Sequence, residues 1–385
     1  MNRFTVKIAA AAIFAAATLA PASWVFAQAV CTQTSRYVRP IPLGLSGGNI
    51  ASFQKGKICF SGTLGSLVYD SKGTEYILSN NHVLANVNNG VRGQLILQPG
   101  LIDTACIQGP GNRVATFSAS NQIKFKPAAE NTIDAAIAKV IPGNVDANGY
   151  IQNIGSISNS IVDCSQSGSS PLCLGLAVQK MGRTTCLTTG TITAIEANVT
   201  VAYDLQNGLV KNANFQDQIQ VNGPSGGSAF AGPGDSGSLV VTSESCPRAV
   251  GLLFAGDVAS GDFFLNPISP VLNKFNVQMV GGPNFGSCST SDSTPLPMSP
   301  DDAASAIGVS AAAVGSARTV RDSHSVDLMK IPGANGTAII AGDQPGSAAI
   351  EVYVTEITAA AQAAVPASLG GVQVKLVKAG PFVAF

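Results

Sequence analysis

The chain has 385 residues, 22 Lys+Arg against 22 Asp+Glu, and 11% charged residues where about 25% is usual. A formal net charge of zero excludes the broad basic surface of an electrostatic nucleic-acid binder, so no nucleic-acid partner is expected. A hydrophobic content of 45% argues against disorder, and the length allows about two domains, each with its own core.

The first element is an address. Arg3 and Lys7 precede an Ala-rich apolar run over 8–20, then come Pro21 and the small-x-small end Val25-Phe26-Ala27. That layout is a secretory signal peptide over 1–27, with cleavage expected after Ala27. The run is short for a membrane span of about 20 residues, and no later stretch is longer, so no stable membrane anchor is expected. Export gives Cys31, Cys59, Cys106, Cys164, Cys173, Cys186, Cys246 and Cys288 an oxidising compartment. Disulfides are the expected use. A zinc site is the rival, without Cys-x-x-Cys or His-rich spacing to support it. Cys164 and Cys173 are close enough in sequence to close a short loop.

From about 43 to 288 the sequence consists of short β-type runs broken by Gly, Asn, Asp, Ser and Pro. Residues 67–69, a turn over 70–73 and residues 76–78 predict a hairpin. Further runs cover 94–97, 132–140, 190–194, 238–242 and 250–255. No helical period is sustained, so the body is all-β, a sandwich or barrel. Residues 286–302 are rich in Ser, Thr and Pro and read as a linker. Beyond it, 303–330 is Ala-rich and partly helical, 337–341 and 349–354 are strand-like, 357–364 is a short helix, and 372–377 alternates as a final strand. The expected division is a signal peptide (1–27), a β body (28–288), a linker (289–302) and a small α+β domain (303–385).

The chain has two histidines. His82 ends the apolar run Tyr76-Ile77-Leu78-Ser79-Asn80-Asn81-His82, and His324 lies in the tail. Either alone has an ordinary structural reading. The stretch Gly232-Pro233-Gly234-Asp235-Ser236-Gly237-Ser238, just before an apolar strand, gives His82 a chemical one. A serine hydroxyl is a weak nucleophile that needs a base, and a tetrahedral intermediate needs donors aimed at its oxyanion. Gly234 can turn its N–H inward and Gly237 leaves room beside Ser236. The N–H groups of Gly234 and Ser236 would then form the oxyanion hole. A phosphate-binding loop is the rival reading, but GxxxxGK[S/T] is absent. A carboxylate should hold the imidazole. Asp134, in Asn131-Thr132-Ile133-Asp134-Ala135-Ala136, is the first candidate, with a strand cap as its plain reading. Asp103 and Asp163 are the alternates. The order His82, Asp134, Ser236 is unlike that of subtilisin or the α/β-hydrolases.

These blocks resemble the catalytic blocks of chymotrypsin- and trypsin-like serine proteases. Gly182-Arg183-Thr184-Thr185 followed by 189–194 resembles the block before the serine in α-lytic-type bacterial enzymes. Residues 250–256 resemble the strand lining the primary specificity pocket. Leu97-Gln98-Pro99-Gly100 and the Asn-Asn-His form are similar to bacterial trypsin-like peptidases related to plant narrow-leaf proteins. The likeness covers about 39–275 and implies two six-stranded β-barrels with the triad between them. It departs at Ser238, where glycine is commoner, and in lacking an activation site whose new N-terminus would pair with Asp235. Phe254, Ala255 and Gly256 suggest apolar pocket walls for a small or medium side chain, while Asp257 would favour a basic one. The tail resembles a small module found beside such peptidases; its attachment through the linker suggests an inhibitory or folding role, and His324 reads as structural.

The expectation is a secreted or periplasmic bacterial serine endopeptidase acting on polypeptides without cofactor or metal. Ser236 attacks, His82 is base and then acid, and Asp134 orients it. The C-terminal domain is expected to contact the protease domain. The alternatives are a binding protein on a protease scaffold, or an esterase with the same triad.

Overall fold

The computed structural model describes residues 32–54, 58–109, 113–126, 128–166, 173–205, 207–224, 229–281 and 308–385. The expected signal peptide, the expected linker, Cys31 and Cys288 lie outside the described residues.

Two antiparallel sheets each close on themselves. In the first, Gly62–Leu64 continues past Gly65 as Ser66–Asp70. The ladder then runs through Glu75–Ser79, Ala136–Val140, Arg113–Ser120, Leu95–Leu97 and Leu45–Asn49, which pairs back onto Gly62–Leu64. Treating 62–70 as one bent strand, this is a six-stranded barrel. A Cβ on Gly65 would lie 2.0 Å from the Gly237 carbonyl oxygen, so the bend needs glycine and lies against the serine loop. The second barrel runs Cys186–Asp204, Ala177–Gly182, Leu239–Thr242, Ala249–Asp257, Asp262–Pro267 and Val210–Asn222, which pairs back onto Cys186–Asp204. Closure pairs the strands of each barrel side by side, leaving free only strand ends that run past their neighbours, and buried Val, Leu, Ile and Phe fill both interiors.

The hairpin forms as its residues dictate. Asp70 Oδ1 accepts from the N–H groups of Lys72 and Thr74, both at 2.9 Å, and Gly73 adopts φ +75°. The run predicted over 132–140 becomes a strand only from Ala136, leaving Asp134 on the approach to it. One helix in the body, Ile268–Phe275, has no sustained period to announce it. One face of this short helix buries Ile268, Val271 and Leu272. It carries the chain back to Val277–Met279, which pairs with Ser66–Asp70 of the first barrel.

In the tail, Ser310 caps the helix Ala311–Ser323 and Thr358 caps Ala359–Ala364, each accepting from the N–H three residues on. Ala334–Ala341 and Ala348–Val354 are antiparallel, and Val372–Lys378 adds in parallel. Ala334–Ala341 also pairs with Cys186–Asp204, so the tail sheet continues that of the second barrel. A bulge at Glu196, with φ +51°, interrupts that pairing. Arg318 forms an ion pair with the Glu196 carboxylate, and Arg321 donates to its carbonyl. Tyr353, Phe264 and Phe382 pack edge to face at the same junction, 4.7–6.0 Å between centroids. A last strand, Phe382–Ala384, lies parallel to Cys186–Asp204 and antiparallel to Ala249–Asp257.

Cys59 bonds to Cys106 and Cys164 to Cys173, while Cys186 and Cys246 are also disulfide-bonded. These bonds are compatible with an extracellular location. Among the described residues no helix is long and apolar enough to cross a membrane, and no group of His, Cys, Asp and Glu could hold a metal ion.

Candidate active site

His82 stands on the short helix Asn81–Leu84, which follows the first-barrel strand Glu75–Ser79. The two asparagines before it fix its position. Asn80 Nδ2 donates to the Asp134 carbonyl at 2.7 Å, and Asn81 Nδ2 donates to Asn88 Oδ1 and the Asn121 carbonyl. His82 Nδ1 lies 2.6 Å from Asp134 Oδ2. The same carboxylate accepts from the His82 backbone N–H at 3.3 Å and from the Tyr203 hydroxyl at 2.8 Å. Burial, then the Asp134 charge, push the Tyr203 phenol well above its usual range, so it remains a neutral donor. Asn266 Oδ1 accepts from the Asp134 N–H at 3.0 Å, while Asn266 Nδ2 donates to Gln218 Oε1. Of the three aspartates considered, only Asp134 meets His82. Asp103 pairs with Arg183, and Asp163 accepts from Ser165.

Ser236 lies between the barrels, on the loop that enters Leu239–Thr242. Thr63 of the first barrel clasps that loop, its N–H donating to the Ser236 carbonyl and its hydroxyl to the Gly234 carbonyl. Gly234 and Gly237 have φ +103° and +92°, and a Cβ on Gly237 would meet Ser79 Oγ at 2.0 Å. Among the described residues neither the Gly234 nor the Ser236 N–H donates a hydrogen bond within the chain. Ser238, where glycine is commoner, turns its hydroxyl back to the Asp235 carbonyl at 2.6 Å.

The partners of Asp235 had no signal in the sequence. Its carboxylate accepts from the N–H groups of Thr184, Thr185 and Gly232 and from the Thr185 hydroxyl, at 2.7–3.2 Å. The buried Lys180 ammonium lies 3.5 Å away. Burial lowers the Lys180 pKa while Asp235 pulls it the other way. The Arg183-Thr184-Thr185 block therefore braces the serine loop.

Ser236 Oγ donates to the Phe254 carbonyl at 3.0 Å and accepts from the Phe385 N–H at 3.2 Å. His82 Nε2 lies 3.0 Å from the Phe385 carbonyl oxygen. Phe254, Ala255 and Gly256 line the site through their backbone, and the Phe254 ring turns away to pack on Phe215 at 4.7 Å. Asp257 accepts from the N–H groups of Gly380 and Ala259. His324 ends the helix Ala311–Ser323 in the tail, where its carbonyl accepts from Leu328. A cleft of about 190 Å³ opens beside Phe385, lined by Phe60, His82, Ile102, Arg183 and Gly234.

No family model matches the chain. Glutamyl endopeptidase 2 of Streptomyces griseus is 40% identical over 91 residues, which are 23% of this chain and 40% of that protein. The chain thus spans about two fifths of the curated relative it matches. Among solved structures, Thermobifida fusca Protease A aligns at a TM-score of 0.38 and 18% identity, over 63% of this chain and 99% of that one. Cellulomonas bogoriensis chymotrypsin aligns at 0.38 and 18%, over 63% and 98%. These comparisons give no support to the likeness to peptidases related to plant narrow-leaf proteins. In its local sequence match and its pair of closed six-stranded barrels, the chain resembles the chymotrypsin- and trypsin-like serine proteases.

Proposed function

We propose that the protein is a serine endopeptidase working through Ser236, His82, Asp134 and an acyl-enzyme. The observation that carries this reading is the 2.6 Å contact of His82 Nδ1 with buried Asp134, with His82 Nε2 and Ser236 Oγ turned to the two ends of one residue, Phe385. With a substrate there instead, Ser236 Oγ bonds to the carbonyl carbon while its proton passes to His82 Nε2. The N–H groups of Gly234 and Ser236 hold the resulting oxyanion. The C–N bond breaks as His82 gives its proton to the departing amine. Water then loses a proton to His82 and attacks the ester, and Ser236 regains its proton as the acid leaves.

A signal peptide over 1–27 and export to the periplasm or medium complete the reading. The glutamyl preference in the Streptomyces griseus relative's name is not carried over, because the Phe385 ring packs on the ring of Phe263, itself against Phe230.

The test is hydrolysis of an unfolded polypeptide by the chain truncated after Val383, with and without Ser236→Ala. Cleavage that falls by about 10⁶ in the variant is expected. Equal cleavage by both, or none by a folded truncated chain, would contradict the reading.

A further inference from the structure

The last described residues lie in the cleft as a peptide. The Phe385 N–H is shared between Ser236 Oγ at 3.2 Å and the Phe254 carbonyl at 3.4 Å. Its carbonyl oxygen faces His82 Nε2 at 3.0 Å. Upstream, Ala384 and Val383 pair antiparallel with Ala255 and Gly256, and Phe382 and Val383 pair parallel with Val201 and Ala202. The Gly380 N–H reaches Asp257 Oδ2 at 3.1 Å. A short chain that adds a strand to an existing edge is a recurring way of binding peptides. Its main chain gives affinity and its side chains give selectivity.

The side chain that selects is that of Phe385. Its ring lies 5.9 Å from the ring of Phe263, which lies 6.0 Å from Phe230, and both of these are fully buried. A charged side chain in that place would lie against apolar rings without a counter-charge. The nearby Lys180 ammonium, 5.8 Å from the Phe230 ring centroid, is already held by Asp235, Thr185 and the Cys186 carbonyl. The Asp257 carboxylate is occupied by backbone N–H groups.

We propose that residues 382–385 bind the acyl side of the cleft as an intramolecular peptide ligand that competes with substrate. The Phe385 ring marks the primary pocket as one for aromatic and large aliphatic side chains, in place of the small or medium residue expected from 254–256. The inference rests on the serine-peptidase reading of Ser236 and names its substrate class. A tethered ligand acts at an effective concentration of about millimolar, so even a weak one occupies its site. The hold is shallow: Val383 is 39% exposed. A longer substrate that also fills the cleft beyond Phe385 can therefore displace it.

The experiment uses the full chain, the chain truncated after Val383, and full-length Phe385→Asp. Each is assayed on peptides that differ only in the residue before the cleaved bond: Phe, Leu, Ala, Glu or Lys. Both variants are expected to lower KM for the Phe peptide by about tenfold or more with kcat unchanged, as removal of a competitor requires. The expected order of kcat/KM is Phe, Leu, Ala, with Glu and Lys at least about 100-fold below Phe. Unchanged KM in both variants would overturn the occupancy, and Glu or Lys ranking first would overturn the pocket. Failure of the peptidase reading looks different, because no peptide would then be turned over in a Ser236-dependent way by any of the three chains. If truncation prevents folding, Phe385→Asp decides alone.

Discussion

Asp134 and Asp235 are both fully buried beside the same cleft, one serving each barrel's half of the site, and they are held differently. Asp134 faces the His82 ring, one backbone N–H and a phenol, so the imidazole is the only partner able to gain charge. Asp235 is surrounded by four donors and a lysine ammonium. A carboxylate that must stabilise a transient imidazolium cannot already be neutralised by a fixed cation. One that only braces a loop gains from saturation. Glu351 gives a third arrangement, in the tail sheet. There burial, then the charge of Asp262, raise the carboxyl to about 7 against the pull of Tyr353 and Lys375.

The sharpest way to break this contrast is Asp134→Asn in the truncated chain. It should lower kcat by about 10⁴ while leaving the unfolding midpoint within a few degrees, because the amide cannot hold the imidazole in the working tautomer. Loss of folding without a specific loss of kcat would make Asp134 merely structural. The converse change is Lys180→Met. Leaving Asp235 buried without its cation should cost about 3–5 kcal/mol in urea unfolding, and any kinetic effect should follow from the loosened serine loop. A stability change near zero would mean that the Thr184, Thr185 and Gly232 donors suffice.

The smallest effect belongs to Glu351. Its carboxyl pKa is about 7 in the folded protein, above the ordinary 4.5. The folded form therefore keeps a proton that the unfolded chain releases between those values. Stability should fall as pH rises from about 4.5 to 7. Glu351→Gln should flatten that slope and add up to about 3 kcal/mol above pH 7. Parallel stability–pH curves for the two proteins would contradict this.

How much of this could be read from the sequence depends on the range of the interaction. The hairpin at 70–73 was legible because Asp70 and Gly73 act within four residues. The Cys164–Cys173 loop was legible because nine residues separate its ends. The strand Cys186–Asp204 was legible only over 190–194. Exposed and buried positions alternate on its two flanks, but the bulges between Ile192 and Val199 shift that period in mid-strand, so no single alternation runs its length. The helix Ile268–Phe275 is too short for its period to stand out. The choice of Asp134 over Asp103 and Asp163, and the partners Tyr203 and Lys180, depend on how the barrels close. Nothing in Phe382-Val383-Ala384-Phe385 marks it as a ligand, because its fit is a property of the edges of Ala249–Asp257 and Cys186–Asp204.

Everything proposed for the cleft requires Ser236 to be a nucleophile activated by His82. Treating the truncated chain with a fluorophosphonate and locating the adduct by peptide mass tests it most directly. One adduct is expected, on Ser236, lost in His82→Ala and Ser236→Ala. A folded chain with no adduct, or with an adduct on another residue that survives both substitutions, would contradict it.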